Sequence, residues 1–169
     1  ADYAGLGHIS AFKVEAACGS GGAAFKAGLM AIASGYHDLV CVTGVEKMTD
    51  VVGDSATKIL ANASDREYEA IHGISFVGLN AMIMRRYMHD FGASREDIST
   101  FPVNSHRNAR HNKDAMFRNE ISLDAVINSP MVADPLTIMD CAPICDGAAS
   151  VILASRARAR EFTDTPVIV

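Results

Sequence analysis

The sequence predicts an α/β fold, and three observations carry that prediction. Hydrophobic residues make up 49% of the 169-residue chain and charged residues 21%, enough apolar material for a packed core. Residues 8–44 read as strand, tight turn, helix, strand, the order of a βαβ unit. A second apolar run, Ala148 to Ser155, follows a long stretch of mainly helical pattern.

His8 to Glu15 (H-I-S-A-F-K-V-E) is a plausible strand with imperfect alternation, and Ala16 to Gly22 is a turn of small residues. Ala23 to Ser34 is rich in good helix formers, with Gly35 as a fitting stop. Asp38 to Gly44 (D-L-V-C-V-T-G) has the composition of a buried parallel strand. Between Glu46 and Arg66 the pattern weakens, with short helical pieces possible. Val77 to Phe91 is helical in spacing, and Ser94 ahead of Glu96 and Asp97 reads as an N-cap opening a helix to about Arg110. Ser122 with Asp124 opens a short helix to about Asn128. Pro130, Pro135 and Pro143 then break the chain into an extended connector. Asp146-Gly147 is a turn into the Ala148–Ser155 strand, followed by a basic helix from Arg156 to Glu161.

Bulk properties exclude several functions. The net charge is -5 and no long basic run occurs, so a nucleic-acid partner is not expected. No apolar stretch approaches the roughly 20 residues that span a bilayer, and no leader pattern opens the chain. Four cysteines, at 18, 41, 141 and 145, do not make a disulfide framework, and a cytoplasmic protein is expected. The chain starts at Ala1, and Thr165 to Val169 reads as a strand just beginning, so a segment of a longer protein is expected.

The chemistry concentrates in Val14-Glu15-Ala16-Ala17-Cys18-Gly19-Ser20-Gly21-Gly22-Ala23-Ala24, where a cysteine sits between a strand and a helix. A helix N-terminus offers unpaired N–H groups and partial positive charge, which stabilise a thiolate and the oxyanion formed when it attacks a carbonyl. Small neighbours let a substrate carbonyl approach the backbone. Two other readings stand beside this one. A free cysteine is often only a small buried hydrophobe. Gly19-Ser20-Gly21-Gly22-Ala23-Ala24 also fits G-x-G-x-x-[GA], the dinucleotide fingerprint, but the nearest acid at a strand end, Glu46, lies beyond the ~20-residue spacing that a ribose-binding acid keeps.

The run V-E-A-A-C-G-S-G-G-A-A resembles the nucleophile segment of thiolases, whose C-x-S motif matches Cys18, Gly19 and Ser20. V-T-G-V-E-K-M-T (Val42 to Thr49) resembles the strand and loop that follow in that family. The stretch from Ser129 to Leu153 resembles its passage from loop domain to core. The wording is closest to archaeal and SCP2-like thiolases and covers essentially the whole chain.

The resemblance implies a layered αβαβα thiolase fold. Residues 1–50 would be part of the N-terminal core domain, 51–145 a mostly helical loop domain with its connector, and 146–169 the start of the C-terminal core domain. It implies an acyl-CoA thiolase of the acetyl-CoA C-acetyltransferase type, with Cys18 as catalytic nucleophile. Gly19 and Ser20 would support the turn and oxyanion, Ser20 by shaping the turn and capping the helix. CoA thioesters are the substrates, with no metal or redox cofactor. A homo-oligomer (dimer or tetramer), a place in the mevalonate pathway and contact with HMG-CoA synthase are further implications. The activating histidine and the second, acid/base cysteine of such enzymes would lie beyond Val169, so turnover by this segment alone is not expected. Other condensing enzymes and a non-catalytic thiolase-like scaffold subunit are the alternatives.

Arg85, Arg86 and Arg107 are candidates for the CoA phosphates, although each also suits a solvated helix face. Cys41 reads as a buried strand thiol, and Cys141 with Cys145 as structural thiols rather than half a zinc site. His106 and His111 read as a solvated face, and Met82, Met84 and Met88 as core packing.

Overall fold

The computed structural model describes residues 2–169; Ala1 lies outside the described residues. In chain order these form α1 (Ser20–Ala33), β1 (Leu39–Glu46), α2 (Gly53–Ala61), α3 (Phe76–Phe91), α4 (Arg95–Ala109), α5 (Leu123–Ile127), β2 (Met131–Ala133), β3 (Leu136–Thr137), β4 (Gly147–Ala154) and α6 (Arg156–Ala159), with short 3-10 turns between. Helices and strands mix as an α/β protein requires. The chain divides into two compact units, Ala1–Lys47 with Asp146–Val169, and Met48–Cys145.

In the first unit β1 and β4 pair antiparallel, from Leu39 opposite Ala154 to Glu46 opposite Gly147. Alternation of side chains puts Val40 and Val42, with Leu153 and Val151 across from them, on the face that α1 covers. Gly28 is the buried point of that contact: a Cβ there would stand 2.8 Å from Val42 Cγ2, 3.0 Å from Leu153 Cδ1 and 3.3 Å from Val40 Cγ1. The absent side chain lets the helix lie close on the sheet. Gly28→Leu should therefore overpack this contact and destabilise the protein by about 1–3 kcal/mol. Urea unfolding checks this, and an unchanged midpoint would show that the helix backs away freely. The opposite face carries Leu39, Cys41, Thr43 and Val45, beside Ile152 and Ser150, all exposed; Thr43 Oγ1 and Ser150 Oγ share a hydrogen bond of 2.8 Å.

Strand expectations for this unit are corrected. His8 to Glu15 forms no strand, since nothing among the described residues offers its backbone a ladder. β1 is not a buried parallel strand but half of an antiparallel pair with one face open. An apolar β-branched run reports burial, not direction, and direction is set by where the chain returns. β4, in the stretch 146–169, pairs with β1 within the same compact unit as the nucleophile turn. Thr165 to Val169 likewise forms no strand.

The second unit is mainly helical, and local signals explain its boundaries. Ser75 caps α3 by accepting from Gly78 N (3.1 Å), and Gly92 ends that helix at φ 65°, a conformation glycine adopts without steric cost. Ser94 and Asp97 form a reciprocal capping box on α4: Asp97 N donates to Ser94 Oγ (3.1 Å) and Ser94 N to Asp97 Oδ2 (2.8 Å). Ser122 caps α5 through Ala125 N (3.1 Å). The core holds Ala56, Ala81, Ile98, Val126 and Leu136, with Ser99 and Thr137 also buried.

The connector expected after Pro130 is not simply extended. Its residues make the β2–β3 hairpin and a 3-10 turn over Ile138–Asp140. That turn is anchored by Arg95, whose guanidinium meets both oxygens of Asp140 (2.6 and 3.2 Å), Ser99 Oγ (2.7 Å) and Thr137 Oγ1 (3.0 Å). Thr137 Oγ1 in turn lies 3.1 Å from Val126 O and 2.8 Å from Asp140 Oδ2, so its single proton serves either. The first turn of α4, α5 and the segment after β3 are thus tied by one largely buried polar network.

Candidate active site

The turn ahead of α1 is built by its own side chains. Ala17 sits at φ 49°, the left-handed region that a Cβ disfavours, and opens a 3-10 turn over Ala17–Gly19 in which Cys18 is the middle residue. Glu15 folds back over this turn: its Oε1 accepts from Ala17 N (2.7 Å) and from Ser20 Oγ (2.9 Å). Ser20 Oγ accepts from Ala16 N (2.8 Å) and lies 2.7 Å from Ala17 O, so its single proton serves either Glu15 or that carbonyl. These bonds, the Ser20 hydroxyl foremost and then the Ala17 amide, hold the Glu15 carboxyl below its ordinary range. Cys18 is exposed at the entry to the 14-residue α1, whose first amides lack intrahelical acceptors by construction. The arrangement can present a sulfur and a helix N-terminus to the same electrophile.

Gly19 and Ser20 take more specific places than expected. Gly19 is the N-cap of α1, and its amide donates to Ala16 O (2.9 Å). Ser20 does not cap α1: its hydroxyl bonds backward, to residues 15–17, because it is the first helical residue and not the one before it.

Arg85, Arg86 and Arg107 belong to the helical unit and not to this turn. Arg85 on α3 pairs with Asp134, Arg86 with Asp90 one turn on (2.6 Å), and Arg107 on α4 donates to Asn104 Oδ1 (2.7 Å). Each guanidinium remains at least partly exposed.

Cys41, expected to be buried, is exposed on the open face of the sheet, with Thr43 Oγ1 at 3.6 Å. Cys141 is half-buried with Sγ 3.5 Å from Thr137 O, and burial, then the neighbouring Asp140 charge, pushes its thiol up. Cys145 is exposed. Among the described residues no three His, Cys, Asp or Glu side chains gather as metal ligands would. His106 is not simply solvated: Nδ1 lies 3.0 Å from Asn119 O and the ring stacks on Phe117. Met84 and Met88 are half-buried, but Met82 is exposed and lines a shallow open groove with Leu79 and Tyr68. Glu15 escaped sequence reasoning, and so did the pairing of Arg95 with Asp140. The signal for the first was a carboxylate three residues before the cysteine and five before the serine.

Comparison with known proteins meets this geometry. The family described as "Thiolase, N-terminal domain" matches residues 1–157. An acetyl-CoA acetyltransferase of Methanothermobacter thermautotrophicus is 53% identical over 169 residues, all of this chain and 44% of that protein. Another, of Methanocaldococcus jannaschii, is 43% identical over all of this chain and 43% of its own length. A solved structure, the Ltp2-ChsH2(DUF35) aldolase, superposes with a TM-score of 0.68 at 28% identity, covering 86% of this chain and 36% of its own. The chain therefore spans less than half the length of these relatives. With the C-x-S turn at the head of α1, a family match over nearly its whole length and α/β architecture in common, this chain belongs to the thiolase family.

Proposed function

We propose that the protein to which this chain belongs is an acetyl-CoA C-acetyltransferase and that Cys18 carries the acyl group. The observation that supports this best is the exposed Cys18 in a braced turn at the N-terminus of a long helix. The Cys18 thiolate attacks the thioester carbonyl of acetyl-CoA, a C–S bond to the enzyme forms, and CoA leaves as its thiol after gaining a proton. The α-carbon of a second acetyl-CoA, having lost its proton, then attacks the acyl-cysteine. A C–C bond forms, the Cys18–acyl bond breaks, and acetoacetyl-CoA results; thiolysis is the reverse. The proton transfers are assigned to a histidine and a second cysteine beyond Val169. The developing oxyanion would be met by backbone N–H groups of the turn, in which the Cys18 amide is the natural candidate.

CoA thioesters are the substrates in this reading, and the chemistry calls on no metal or redox group. Arg85, Arg86 and Arg107 are proposed for the CoA phosphates, and each would exchange or share its present acidic or amide partner to reach them. A cytoplasmic homo-oligomer working beside HMG-CoA synthase in mevalonate synthesis completes the proposal. A second reading has its own support. A relative of Mycobacterium tuberculosis, 32% identical, is named a 17-hydroxy-3-oxo-4-pregnene-20-carboxyl-CoA lyase, and the solved relative is an aldolase. Cleavage of a C–C bond by a lyase leaves no acyl group on sulfur.

Covalent labelling separates the two. Incubating the full-length protein with acetyl-CoA should add one acetyl group to the peptide containing Cys18, seen by mass analysis at acid pH. Limiting iodoacetamide should label Cys18 ahead of Cys141, whose thiol is half-buried beside Asp140 and therefore less often ionised. Labelling of Cys141 or Cys145 with Cys18 untouched would overturn the assignment.

A further inference from the structure

We propose that Glu15 is a positioning residue for Cys18, acting through the Ala17 amide and the Ser20 hydroxyl; this rests on the reading of Cys18 as the reactive group. A residue with a Cβ does not choose φ 49° unaided, and the turn that places Cys18 at the head of α1 depends on that conformation at Ala17. A partner outside the turn's own backbone must hold it. Glu15 Oε1 supplies that partner for the Ala17 N–H at 2.7 Å, a charge-assisted bond to the very residue under strain. The same oxygen faces Ser20 Oγ at 2.9 Å, and Ser20 Oγ accepts from Ala16 N, so residues 15, 16, 17 and 20 are linked in a ring that bridges the chain on either side of Cys18.

A general-base role for Glu15 fits these observations less well. One carboxylate oxygen accepts from the Ala17 amide and lies 2.9 Å from Ser20 Oγ, and the other faces Lys13 Nζ at 3.9 Å. Donors that favour the ionised form make the carboxylate a poorer proton acceptor, which the lowered Glu15 pKa reflects. What the turn needs from position 15 is an acceptor oxygen of the right reach. Glutamine has one, and alanine has none.

The test compares Glu15→Gln, Glu15→Ala, Ser20→Ala and the Glu15→Ala/Ser20→Ala double variant of the full-length protein. The readouts are the rate of Cys18 alkylation by iodoacetamide across pH, and kcat and KM for acetoacetyl-CoA thiolysis. Glu15→Ala should slow alkylation and lower kcat by roughly tenfold to a hundredfold, the scale of a misplaced reacting atom, with KM within about twofold. Glu15→Gln should stay within about threefold of the parent, and the double variant should be little worse than Glu15→Ala, because both side chains act through one ring. Glu15→Ala alkylated at the parent rate would overturn the proposal. So would Glu15→Gln falling as far as Glu15→Ala, since the charge and not the acceptor would then matter. Alkylation needs no substrate, so these outcomes are read even where acetyl-CoA leaves Cys18 unmodified, a result that would overturn the transferase reading instead.

Discussion

Cys18→Ser is expected to lower acetyl transfer by the full-length protein by roughly three orders of magnitude or more, the scale on which removing a covalent nucleophile acts. The cause is the state of the attacking atom. A thiol reaches its anion at a modest cost near neutral pH, whereas a serine hydroxyl at the same position needs a strong base at hydrogen-bond distance. The Glu15 carboxylate does not fill that place, because its bonds run to the Ala17 amide and the Ser20 hydroxyl. The substitution removes little volume at an exposed position, so the fold should be unaffected and the loss should fall on turnover. Exchange of labelled acetyl groups between acetyl-CoA and CoA measures it. Exchange that persists at the parent rate would exclude Cys18 as the acyl carrier.

Asp140→Ala is expected to destabilise the protein by about 3–5 kcal/mol, the range found when one member of a buried ion pair is removed. The Asp140 side chain is 5% exposed and that of Arg95 18%, so the guanidinium left behind cannot turn fully to water. Asp140 also accepts from Thr137 N (2.7 Å), a donor that would lose its partner in the same stroke, and its Oδ2 lies 2.8 Å from Thr137 Oγ1. The double replacement Arg95→Met/Asp140→Leu should recover much of the loss, because apolar groups in place of both ions leave no uncompensated charge. Urea unfolding followed by circular dichroism gives both values. A cost below about 0.5 kcal/mol for Asp140→Ala would mean that water or another acid takes the place of the carboxylate.

What could be read from the sequence was what is decided locally. Ser94 with Asp97, and Ser122 ahead of α5, mark their helices because a cap needs only residues three apart. The Cys18 turn was legible for the same reason: small residues, a cysteine and a run of helix formers are neighbours in the chain. The sense of the β1–β4 pairing was not legible, since Leu39 and Ala154 meet across the whole intervening chain and an apolar run does not say which way its partner points. The exposure of Cys41 was hidden by the same gap, for burial of a strand face depends on what lies over it. The spacing of Glu15 from Cys18 and Ser20 was visible, but not the bonds that it makes. Its part depends on the chain doubling back at Ala17, and no spacing rule encodes a left-handed alanine.

The Lys47–Asp146 ion pair (3.8 Å) and the pairing of Glu46 with Gly147 place the exit from β1 beside the entry to β4. In polymer terms the helical unit is a loop of about 100 residues closed at its neck. Closing such a loop from an unstructured chain costs on the order of 4 kcal/mol of entropy by the (3/2)RT ln n estimate, and doubling its length adds only about 0.6 kcal/mol. The neck therefore tolerates wide variation in the size of what hangs from it. It is also sensitive to order of events: an insertion that has already folded with its ends together delivers β4 to β1 as though they were sequence neighbours. The helix caps and the Arg95–Asp140 tie are all local to the helical unit, so its own contacts do not call on the β1–β4 pairing.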